Sequence, residues 1–109
     1  MLRPIQGTQR LPRHLFIGLT GTGTAVLGEG KFDATLVDNG TGDYTLTFAK
    51  PFNRAPIAQI TSRTSAVAIQ IFALTKSAIQ IKTFGVDGTT AKDAVIDIAI
   101  HGNDSDDII

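Results

Sequence analysis

The chain has 109 residues, 42% of them hydrophobic and 18% charged. That content is too apolar for disorder and too interrupted for a membrane span, and the length suits one domain with one core. Ten basic and ten acidic residues cancel and no cysteine is present, which excludes a whole-domain electrostatic grip on nucleic acid or anionic lipid, a disulfide framework, a thiolate metal site and a cysteine nucleophile.

Residues 1–14, MLRPIQGTQRLPRH, contain Pro4 and Pro12 and are read as an extended arm. Proline cannot donate to a central ladder, and the proline and polar residues leave no apolar run of signal-peptide length. Arg3, Arg10 and Arg13 lie here with no acidic residue among them, whereas Asp104, Asp106 and Asp107 crowd the far end. Solvated tails and ends that dock on neighbouring subunits both fit this imbalance. Leu2, Ile5 and Leu11 would let the arm gain by lying on another surface. Arg3, Ile5, Arg10, Leu11 and Arg13 are therefore the candidate partner-binding residues.

From residue 15 to 109 the dominant signal is period-two alternation in runs of Ile, Val, Thr and Phe, separated by Gly, Asp and Asn clusters. Strands are predicted over 15–20 (Leu15, Ile17 and Leu19 on one face), 32–37 (Phe32, Ala34, Leu36) and 43–49 (Tyr44, Leu46, Phe48). Further strands are predicted over 57–61, 66–74, 78–84 and 94–101, which gives about seven or eight in all. Thr75–Ala78 is short enough to make its flanking strands antiparallel neighbours, and Asp38–Asp43 and Gly85–Thr90 supply further turns. Asn39-Gly40-Thr41 and Asn103-Asp104-Ser105 match the glycosylation sequon but read better as turn residues. No stretch carries a capped helical pattern; the best, Thr89–Val95, is too short. Many short strands without helices predict an antiparallel β-sandwich or jelly roll, because two half-apolar sheets satisfy one another only face to face.

Catalytic raw material is poor. The histidines are His14 and His101, and none of the serines at 62, 65, 77 and 105 stands in a nucleophile elbow. Gly18-Leu19-Thr20-Gly21-Thr22-Gly23 invites a phosphate-loop reading, yet without the Lys-Ser/Thr ending or a following helix it reads as a hairpin tip. Asp97, between Ile96 and Ile98, belongs on the face opposite the isoleucines, and the acidic tail lacks EF-hand spacing. Phe16, Phe32, Phe48, Phe52, Phe72, Phe84 and Tyr44 are read as mostly core, which leaves no aromatic platform for nucleic acid. No enzyme activity, cofactor, metal, nucleic acid or membrane partner is expected.

The segment Gly42-Asp43-Tyr44-Thr45-Leu46-Thr47-Phe48-Ala49-Lys50-Pro51-Phe52-Asn53-Arg54-Ala55-Pro56 resembles a recurrent pattern of tailed-bacteriophage virion proteins. The likeness continues through Ile79–Phe84 and Ile98–Ser105 and covers roughly residues 30–105. Such proteins include small head-decoration, or cement, proteins and β-sandwich modules of tail fibres and spikes. Gly42, Tyr44, Phe48, Pro51, Phe52 and Pro56 form a structural signature, in which the two prolines break the ladder while Phe52 folds back into the core. The resemblance implies a virion protein on the capsid exterior, made in the host bacterial cytoplasm, that binds the major capsid protein and itself as a homodimer or homotrimer. A small module with a basic arm and no long repeats favours decoration over fibre. A carbohydrate-binding sandwich and a tail or collar component are the alternatives.

Overall fold

The computed structural model describes residues 9–22, 24–30 and 33–108, with side chains from Pro12 to Asn103 apart from the same gaps. Arg3, Ile5, Gly23 and Phe32 lie outside the described residues, and of Arg10, Leu11 and the acidic stretch 104–107 the backbone alone is described.

Among the described residues eight strands follow in order: β1 (Gln9–Thr20), β2 (Val26–Glu29), β3 (Ala34–Gly40), β4 (Asp43–Phe48), β5 (Ile57–Ser62), β6 (Ala68–Leu74), β7 (Ala78–Phe84) and β8 (Val95–Ile108). They form two antiparallel four-stranded sheets, β2-β1-β8-β5 and β3-β4-β7-β6. This is the sandwich expected from the alternation. With β3 taken as A and β1 as the strand after β8, the sheets correspond to A-B-E-D and C-F-G, a circular permutation of the immunoglobulin strand order, with β2 added beside β1.

Each predicted strand segment coincides with an observed one, and β2 is the addition. Its four residues carry a glycine and a glutamate, too few for a pattern to register, and it forms because the turn after β1 returns it alongside, Leu19 opposite Leu27. The glycine-rich stretch thus ends β1 and enters that hairpin. The Thr75–Ala78 turn joins β6 to β7 as antiparallel neighbours. At the third turn the Asp87 carboxylate accepts the amides of Thr89 and Thr90, and the Thr90 hydroxyl chiefly brings its pKa down to about 2.

The core is the meeting of the inner faces. Leu15, Ile17 and Leu19 of β1 and Ile96, Ile98 and Ile100 of β8 face Tyr44, Leu46 and Phe48 of β4 and Ile79 and Ile81 of β7, all buried. Burying each such side chain contributes about 1.5–3 kcal/mol before the entropy of ordering is set against it.

β1 begins at Gln9, inside the stretch read from the sequence as an arm. It pairs with β8 from Gln9 opposite Ile108 to Thr20 opposite Val95, while β2 covers β1 at Gly18–Thr20 and β5 covers β8 at Ile96–His101. Among the described residues no third strand pairs with the outer parts of β1 and β8, which run out together as a two-stranded ribbon. Pro12 is tolerated there because it falls at a register irregularity on an edge, where no third strand among the described residues needs its missing amide. At about 3.3 Å per residue the ribbon adds on the order of 20 Å, in keeping with a molecule measuring 54 × 24 × 21 Å.

Candidate functional site

The Pro-Phe signature is the passage by which the chain leaves one sheet for the other, between β4 and β5. Its backbone groups find partners on the way: Ala49 N–H donates to Asp33 O, Phe52 N–H to Lys76 O and Asn53 N–H to Asn103 O, at 2.8–2.9 Å. Pro51 is exposed and Pro56 buried. The Phe52 ring is 1% exposed, meets Phe48 edge-on at 5.2 Å and carries the Arg13 guanidinium 3.9 Å above its centroid. Arg13 also donates to the carbonyls of Lys50 and Pro51. Of the candidate partner-binding residues, Arg13 is thus committed to fastening the base of the ribbon onto the sandwich.

Gly42 and Tyr44 belong to a second knot. The Tyr44 hydroxyl donates to Asp93 Oδ1 at 2.9 Å, and Gly42 N–H donates to the same oxygen at 2.8 Å. Gly42 O accepts Thr83 N–H, and Gly21 N–H donates to Ala94 O. Burial first, and then the hydrogen bond and charge of Asp93, push the Tyr44 phenol up to about 12. Because the folded pKa lies above the ordinary 10.0, this contribution to stability is complete below pH 10. Between the two values it falls by about 1.4 kcal/mol per pH unit as the phenol ionises more readily in the unfolded chain. Tyr44→Phe is expected to cost about 1–2 kcal/mol in chemical denaturation and to remove the alkaline fall.

The histidines meet across strands. His14 lies opposite His101 in the β1–β8 ladder with Nδ1 atoms 2.8 Å apart and ring centroids 5.0 Å apart. Centroids this far apart for that contact mean the two nitrogens point almost straight at each other, the arrangement of one shared N–H···N bond. Gln59 Oε1 stands 3.3 Å from His101 Nε2. No serine hydroxyl among the described residues bonds either imidazole; that of Ser62 is used in its own turn, donating to Thr64 O. Among the described residues there is no group of three or more His, Cys, Asp or Glu placed to hold a metal, and no helix long and apolar enough to cross a membrane.

The two outer sheet faces differ. On β3-β4-β7-β6, Asn39 donates to Asp43 and Thr45, and Gln80 to Asp43, so the polar groups largely satisfy one another. Phe72 is 54% exposed there, at a register irregularity between Ile71 and Ala73, with Lys82 Nζ 3.9 Å from its ring centroid. On β2-β1-β8-β5 the outer face is concave and holds a cavity of about 720 Å³. The register sets its rows, Phe16–Ala99–Gln59 and Glu29–Gly18–Asp97–Thr61, with Arg63 just beyond β5. Arg63 Nε donates to Asp97 Oδ2 at 2.7 Å, a bond that raises the guanidinium pKa.

This concave face corrects the reading of the aromatics. Phe16 is 61% exposed and Phe72 is exposed as well, whereas Phe48, Phe52 and Tyr44 are core. The signal for Phe16 was present: it stands between Leu15 and Ile17, out of phase with the buried face of its own strand. Phe72 was less legible, since a bulge resets the phase after Ile71. Asp97 is on the outer face, as its alternation with the isoleucines requires. No protein-family model, curated protein or solved structure matches the chain.

Proposed function

We propose that this chain is a structural protein of a tailed-bacteriophage virion, a capsid-decoration protein that binds major capsid protein subunits on the particle exterior and associates with itself. The observation that carries the reading is the ribbon. Among the described residues no strand pairs with the second edge of β1 from Gln9 to His14 or of β8 beyond Asn103, and such an edge offers a row of backbone donors and acceptors to an added strand. The ribbon is fastened at its base by Arg13 on Phe52, so it is held out from the body at a fixed place. The Gly-Tyr to Pro-Phe-Pro resemblance supplies the virion context, and repetition of one modest contact over a lattice would supply the avidity.

The test is a particle experiment. Virions should contain this chain in a copy number that scales with the major capsid protein, and capsids stripped of it should disassemble at lower temperature. A chain lacking residues 1–11 should keep its β-sheet circular dichroism and lose particle binding. A copy number fitting a single tail or collar would move the protein to the tail. Absence from particles would end the virion reading.

A further inference from the structure

We infer that the concavity on the outer face of β2-β1-β8-β5 is a binding site for a neutral saccharide. The recess exists because its floor is made of the two smallest side chains available. Gly18 and Ala99 sit on the two central strands, and a Cβ at Gly18 would already stand 3.2 Å from that of Glu29. Around this floor the walls are unlike one another. Phe16 presents an exposed ring on one side of Ala99 and Gln59 an amide on the other; Asp97 and Thr61 lie one row on, and Arg63 closes the end.

That combination selects a chemistry. A flat ring takes an apolar C–H face, while an amide, a carboxylate, a guanidinium and a hydroxyl offer donors and acceptors together, as a ligand bearing adjacent hydroxyls on an apolar ring requires. The Arg63–Asp97 contact uses one guanidinium nitrogen and one carboxylate oxygen and cancels the charge of both. With Glu29 as the other charged lining residue, the recess has no positive excess to hold a phosphate or sulfate polymer. It lies across a sheet whose central backbone groups are already spent in the ladder, so strand addition by a peptide has no purchase here. Gln59 is oriented by His101 and Arg63 by Asp97, which lowers the ordering cost of binding. The cavity of about 720 Å³ is of the size small-ligand sites have, about 300–1,000 Å³.

The site stands apart from the ribbon, so sugar binding and particle binding can fail separately. The experiment is a ¹⁵N chemical-shift titration of the full chain with maltose, cellobiose, lactose and diacetylchitobiose, backed by an array of neutral glycans. A saturable response is expected from at least one saccharide, confined to amides of residues 16–20, 59–63 and 95–99. Phe16→Ala, at an exposed position where the fold is not at stake, should weaken binding by about tenfold. Ala99→Leu, which fills the floor and removes no polar group, should abolish it. The inference is overturned if none of the disaccharides and no neutral glycan on the array binds, or if both variants bind as the parent does. It is equally overturned if the same amides shift with protein concentration alone, which would give the face to a second copy of the chain.

Discussion

Phe52→Ala should lower the free energy of unfolding by about 3–5 kcal/mol, as large-to-small changes at fully packed aromatics do, read as a fall in the urea midpoint with unchanged slope. The loss is more than that of one ring. Phe52 is where four parts of the chain meet: Phe48 from β4, Pro56 leading into β5, Gly102 of β8 and Arg13 of β1. A Cβ on Gly102 would come within 2.6 Å of the ring, so the glycine is there to let the aromatic in. Emptying the site leaves a cavity between the sheets and removes the surface on which Arg13 rests. Hydrogen exchange in residues 9–14 and 101–108 should accelerate in this variant beyond what the global loss explains. Unchanged ribbon protection would show that Arg13 does not fasten the ribbon.

Gly42→Ala is the second large effect. Gly42 has φ +64°, and a Cβ there would meet the Thr83 carbonyl and lie 3.0 Å from both the N and O of Lys92. These are backbone atoms of the strand and loop that Gly42 itself pairs with, so no side chain can swing aside. Left-handed strain of about 1–3 kcal/mol and overpacking of about 1–3 kcal/mol act together. Gly88 provides the control: its φ is +73° but nothing lies within 4 Å of its added Cβ, so Gly88→Ala should cost about 1–2 kcal/mol, the strain alone. Equal losses at the two sites would mean that crowding by Thr83 and Lys92 is relieved at no cost. For a small domain whose whole stability is about 5–15 kcal/mol, Phe52→Ala or Gly42→Ala alone could bring the fold close to its limit at physiological temperature.

By itself the sequence determined the class of fold, most of the strand positions and the buried face of β1, β4, β7 and β8. Those properties are local: alternation over five to seven residues sends Leu15, Ile17 and Leu19, or Ile96, Ile98 and Ile100, to one side whatever the neighbour is. It also marked the sheet-to-sheet passage, since two prolines around an aromatic can neither continue a ladder nor leave the ring in water. Pairing was a different matter. That β1 lies against β8, some eighty positions away along the chain, and that both outrun their neighbours to make a ribbon, depends on which edges remain open once the two sheets close. Residues 9–14 look unlike a strand because their pattern is not periodic; they become one because the β8 backbone is beside them. The recess has the same origin. Gly18, Ala99, Phe16 and Gln59 are unremarkable in their own segments, and only the register of three strands sets the small residues on neighbouring diagonal positions, with Ala99 between the aromatic and the amide. Cross-strand register is fixed by packing over the whole sheet, and no window of sequence contains it.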